Sequence, residues 1–183
     1  DDERNPTGGT YLSAGVTPFV GLTGADSGVQ LRLDARGYLA PAGGDRLVLA
    51  ARFQVGAVAR ADLLRTPRSY LFYSGGGGTV RGQPYQSLGA TYGDEKLGGL
   101  SLAALSLEAR VDVTEQIGVV TFVDVAQVGS DPVPLTTDNW HAGAGLGLRY
   151  DTTIGPIRLD LAGPVAGDTG DGLHIYLGIG QAF

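Results

Sequence analysis

The sequence predicts an all-β fold: an antiparallel up-and-down transmembrane β-barrel of about eight strands with one long loop. Three observations predict it. Apolar and polar residues alternate with period two through eight segments of about ten residues, the length that crosses a bilayer when tilted. The composition joins 43% hydrophobic residues and 31 glycines to a complete absence of cysteine, which is ordinary where apolar side chains face lipid and polar ones face a lumen. The charges on the polar faces nearly balance, as an internal ion-pair network requires. Composition alone leaves a soluble β-sandwich or barrel equally open, because period two does not say which face is inside.

Residues 1–9 read as a polar tail. The first strand spans 10–20, with Pro18 near its end. The second, 28–40, is the clearest: Val29, Leu31, Leu33, Ala35, Gly37 and Leu39 alternate with Gln30, Arg32, Asp34, Arg36 and Tyr38. A tight turn at 41–45 leads into the third, 46–58, where Leu49, Ala51, Phe53 and Val55 oppose Arg52 and Gln54. A long loop, 61–98, carries the stretch GGGGTVRGQPYQSLG; a connection of that length inside a compact domain is functional or disordered. Its Arg81, between Val80 and Gly82, needs a partner if buried.

Further strands follow at 102–114, 116–128, 139–151, 156–165 and 173–183. Their polar faces carry Glu108, Arg110 and Asp112, then Val120, Phe122 and Asp124, then His141 and Arg149, then Arg158 and Asp160, then His174 and Tyr176. Tyr11, Tyr38, Trp140, Tyr150 and Phe183 lie near strand ends. They suit an interfacial girdle, which tips the reading toward the membrane, with lipid or detergent as the covering partner.

Several functions are disfavoured. The net charge is −6 and no basic cluster is present, which argues against a nucleic-acid partner. His141 and His174 lack metal-ligand spacing, and GDTGDG, with Asp168 and Asp171, reads as a hairpin turn before a calcium loop, so no metal and no cofactor is expected. The glycine run lacks the Lys-Ser/Thr ending of a phosphate loop, and no Ser-His-Asp order or paired catalytic carboxylates appear; an enzyme is not expected. Methionine is absent even at position 1, so the chain reads as processed or as an excised piece.

Four stretches carry a resemblance: GGGGTVRGQPYQSLG at 75–89, FVD at 122–124, GAGLGLRYDTTIGPIRLDLAGPV at 143–165 and IYLGIGQAF at 175–183. Together they resemble the C-terminal half of the barrel in the BamA/TamA family of bacterial outer-membrane assembly factors, more on the TamA side. Residues 10–60 match only as strand pattern. The resemblance implies a loop folded back into the barrel, with Val80-Arg81-Gly82 packed on Phe122 and Asp124. Phe122 and Asp124 do share the polar face of their strand. It implies a C-terminal insertion signal in Tyr176, Leu177, Gly178, Ile179 and Phe183, a bacterial outer-membrane location, and a parent that inserts or translocates outer-membrane proteins. The family's barrel has sixteen strands after periplasmic POTRA domains, none of which is expected here. The eight strands then either close alone or pair with a second copy, as a homodimer. A purely structural small barrel and a soluble β-barrel binding protein are the alternative readings.

Overall fold

The computed structural model describes residues 5–41, 46–93 and 95–183. The turn expected at 41–45 and the first part of the tail therefore lie mostly outside the described residues. The chain forms β1 (Gly9–Phe19), β2 (Gly28–Leu39), β3 (Leu47–Ala59), β4 (Thr91–Tyr92), β5 (Glu95–Lys96), β6 (Ser101–Asp112), β7 (Ile117–Gly129), β8 (Trp140–Tyr150), β9 (Ile157–Ala166) and β10 (His174–Ile179). Eight of these make one antiparallel sheet in the order β1-β2-β3-β6-β7-β8-β9-β10, and β4 and β5 pair separately inside the long loop. No described helix is long and apolar enough to cross a membrane, which says nothing of strands.

The register settles which face is which. Opposed residues in an antiparallel ladder share a face. One row runs Tyr38, Ala50, Glu108, Phe122, Gly145, Ala162, His174 and the next Leu39, Leu49, Ala109, Thr121, Leu146, Leu161, Ile175. The charged faces are the buried ones: Glu108, Arg110, Asp124 and Asp160 are nearly inaccessible, whereas Leu12 is 70% and Leu177 76% exposed. Leaving a large aliphatic side chain in water forfeits about 1.5–3 kcal/mol, and this wall presents dozens of apolar atoms outward. A soluble barrel would be turned the other way, so that alternative is set aside.

Among the described residues the eight strands do not close on themselves: β1 pairs only with β2 and β10 only with β9. The reason lies on the concave face. A closed eight-stranded barrel has room only for its own side chains, and here Leu71, Phe72, Val80 and Leu88 of the long loop pack against that face. The loop is held by paired backbone bonds, Phe72 N–H to Gly99 O at 2.8 Å and its reciprocal at 2.7 Å, then Ser74 with Leu88 at 3.0 and 2.9 Å. Its Leu71, Phe72, Val80 and Leu88 join Phe19, Val58, Leu102, Ala104, Ala126 and Val128 in the main apolar cluster. The concave face is thus layered, apolar where the loop springs from the sheet and ionic further down.

Two expectations are corrected. The last strand ends at Ile179 rather than running to residue 183. Gly180, at φ +86°, turns the chain inward and donates its N–H to Pro156 O at 2.7 Å. Phe183 is consequently buried, its ring 6.5 Å from that of Tyr38 and 5.5 Å from the Arg110 guanidinium. Of the expected girdle, Trp140 and Tyr150 point outward, each about half exposed, and Tyr11 is equally exposed but on the opposite face of the edge strand β1. Tyr38 faces the concave side, and Tyr11 stands opposite Arg36, whose guanidinium lies 4.9 Å from its ring.

Candidate functional site: the loop tip on the concave wall

Gly75 and Gly76, at φ +110° and +87°, reverse the chain ahead of the tip. Gly76 N–H reaches Gln83 O at 3.0 Å and closes the tip into a small ring. Val80, fully buried, enters the apolar cluster. The next residue, Arg81, points down into the ionic layer.

The Arg81 guanidinium meets three carboxylates from three strands. Nε donates to Asp124 Oδ2 at 2.8 Å and Nη2 to Asp124 Oδ1 at 3.0 Å, a fork-to-fork pair. Nη1 donates to Glu108 Oε1 at 2.6 Å and to Asp160 Oδ2 at 3.3 Å. The backbone N–H of Arg81 adds a third bond to Asp124, at 3.0 Å. The guanidinium carbon sits 3.6 Å from the centre of the Phe122 ring, a stacked arrangement worth up to ~2 kcal/mol when desolvated. Arg110 donates to Glu108 at 2.8 Å, Arg149 to Asp160 at 2.5 Å, and Arg158 lies 3.6 Å from Asp160. Burial works against the Arg81 charge, but Asp124 and Glu108 outweigh it and hold the guanidinium protonated above its ordinary range.

Glycines on the wall make this approach possible. A β-carbon at Gly143 would stand 1.9 Å from Arg81 O, and one at Gly145 would stand 2.5 Å from the Phe122 ring. Gly82, at φ +87°, lies so close to β9 that a β-carbon there would meet Gly163 O at 2.4 Å. Its N–H donates to the Tyr176 hydroxyl at 3.0 Å. The alternating glycines of GAGLGLRY therefore form a groove floor.

Val80, Arg81, Gly82, Phe122 and Asp124 are brought together, and Tyr176 joins them. Leu177 and Ile179 point outward on β10, with Gly178 between them on the opposite face, and Phe183 lies lower, at Arg110. Sequence reasoning placed Glu108 and Asp160 on the polar face without linking them to Arg81. The row that sets Glu108 opposite Phe122 was the signal that could have done so. His141 contacts hydroxyls rather than other ionisable groups, while His174 lies beside Tyr176. Among the described residues no three His, Cys, Asp or Glu side chains gather as a metal site. Asp168 and Asp171 sit exposed in the β9–β10 turn.

A family model described as the Omp85 superfamily domain matches residues 1–183. Among solved structures, the crystal structure of BamA from Haemophilus ducreyi lacking POTRA domains 1-3 superposes with a TM-score of 0.73 at 21% identity. The match covers 94% of this chain and 38% of that one. The chain thus spans well under half the length of that protein, and at this identity the likeness is one of fold.

Proposed function

Because the chain belongs to the Omp85 superfamily, we propose that it is the loop-bearing half of a bacterial outer-membrane barrel that inserts or translocates other outer-membrane proteins. The observation that carries the reading is the Arg81 tip seated on Asp124, Glu108 and Asp160, inside a wall whose other face is apolar. Such a part works without bond chemistry, by the shape it imposes on the bilayer and by exchange of strands at its edges.

The two edges bear on this directly. Unpaired backbone groups in hydrocarbon cost several kcal/mol each, so β1 and β10 are covered by other strands in the membrane. Eight alternating strands leave the first and last antiparallel. A second copy related by a two-fold axis along the barrel would therefore pair β1 with its β10 and the reverse, making sixteen strands. The remainder of a longer barrel would cover the same edges.

The test is insertion into liposomes. Vesicles carrying this chain receive an outer-membrane barrel protein diluted from urea, and its folding is followed by heat-modifiable migration. The expected result is faster folding than in empty vesicles or vesicles holding an unrelated small barrel, with the gain reduced by Arg81→Ala. Equal rates in all vesicles would refute the assembly reading and leave a purely structural barrel.

A further inference from the structure

A second set of loop contacts lies apart from the ionic layer. His141, fully buried on β8, places Nε2 2.7 Å from Ser74 Oγ on the loop and Nδ1 2.7 Å from Thr169 Oγ1 in the β9–β10 turn. Thr169 Oγ1 donates to Gln83 Oε1 at 2.8 Å, back on the loop, and Gln83 Nε2 donates to Ala142 O at 2.9 Å and Ala166 O at 3.2 Å. On the other side Ser74 Oγ is 3.2 Å from Thr79 Oγ1, which accepts from Gly75 N–H at 2.9 Å.

The direction of this chain follows from its ends. The two carbonyls fix the Gln83 amide, so its oxygen must accept from Thr169. The Thr169 oxygen must then accept from His141 Nδ1–H, and in a neutral imidazole Nε2 is the acceptor for the Ser74 hydroxyl. Both ring nitrogens of His141 thus have a hydroxyl partner, and no carboxylate takes part.

We propose that His141 is a positioning residue for the loop, latching both its root at Ser74 and its tip at Gln83 to the turn that precedes β10, independently of the Arg81 ion network. The β9–β10 turn packs on the tip besides: a β-carbon at Gly170 would stand 2.3 Å from the Pro84 ring. The start of the edge strand β10 is therefore tied to the loop, so that displacing one displaces the other. The latch itself stands on geometry; its bearing on assembly rests on the function proposed above.

Hydrogen exchange measured by mass spectrometry on the whole chain in micelles tests it. Thr169→Val, at a half-buried turn site, removes both bonds of the Thr169 hydroxyl, to His141 and to Gln83. Exchange at 168–172 should rise about ten- to a hundredfold, the factor for two lost hydrogen bonds, while the Arg81 and Gly82 amides stay within about twofold. His141→Asn keeps a donor near Nδ1 and should preserve the turn while loosening 74–79; His141→Gln keeps an acceptor near Nε2 and should do the reverse. No change on Thr169→Val, equal loosening at Arg81, or identical behaviour of the Asn and Gln variants would each overturn the latch. The liposome assay is scored separately: failure of the unmutated chain to accelerate folding removes the assembly reading and leaves the exchange result standing.

Discussion

Replacing Arg81 with alanine takes a partner from three carboxylates, and the size of the effect follows from the geometry. Asp124 loses its two side-chain bonds, Glu108 and Asp160 one each. The backbone bond from residue 81 survives only if the loop stays in place. Removing one partner from a buried ion pair costs about 3–5 kcal/mol, and Arg110, Arg149 and Arg158 remain to neutralise Glu108 and Asp160. The stranded charge is therefore Asp124, and Arg81→Ala should lower unfolding stability by about 3–5 kcal/mol. Arg81→Lys keeps the charge but loses the fork and the stacking on Phe122, and should cost about 1.5–3 kcal/mol. Asp124→Asn placed on Arg81→Ala relieves the unpaired charge and should restore about 1–2 kcal/mol, though alone it destabilises. Urea unfolding in micelles reads all of these, with fluorescence of the single tryptophan, Trp140, as one probe and migration of unheated samples as a second. A loss below about 1 kcal/mol for Arg81→Ala, or strictly additive effects of the two substitutions, would refute the claim that this network holds the loop.

Gly143→Ala puts a methyl where Arg81 O stands; the loop tip should lift and chymotrypsin should cut at Tyr85 several times faster, whereas the same change at open Gly37 should leave cutting unaltered. Leu107→Arg charges the middle of the outward face and should cost about 2–4 kcal/mol in a bilayer, measured as reduced folding into vesicles; unchanged folding would place that face away from lipid. Light scattering in detergent should give twice the mass of the 18.8 kDa chain if two copies cover each other's edges, and a single mass rules that pairing out.

Most of the wall was legible because alternation is a property of neighbouring residues. The strands at 28–40 and 116–128 were bounded to within a residue or so by their own pattern. What alternation could not supply was handedness of burial: the same pattern fits a sheet turned either way, and only the register, carrying Glu108 through Phe122 to Gly145, shows the charged rows converging beneath the loop. The pairing of Arg81 with Asp124 was anticipated from the resemblance. Its contacts with Glu108 and Asp160 were not, because they join residues 27 and 79 positions apart through curvature that no local window contains. The end of the chain misled for a related reason. Alternation through Ile179 invites extension to Phe183, but Gly180 takes a positive φ and an aromatic that looks interfacial becomes a buried cover for Arg110.

The shortness of β10 gives the wall a stepped profile. Its six residues pair only with Ile157–Ala162, and β9 continues to Ala166 with Gly82 of the loop lying against Gly163 instead of a neighbouring strand. A strand added beside β10 could thus form a continuous ladder of only about 20 Å at ~3.3 Å per residue, short of the ~30 Å hydrocarbon thickness. Beyond the start of β10 the notch is bordered by the loop, so a strand added at this edge would meet the folded tip where its ladder ends.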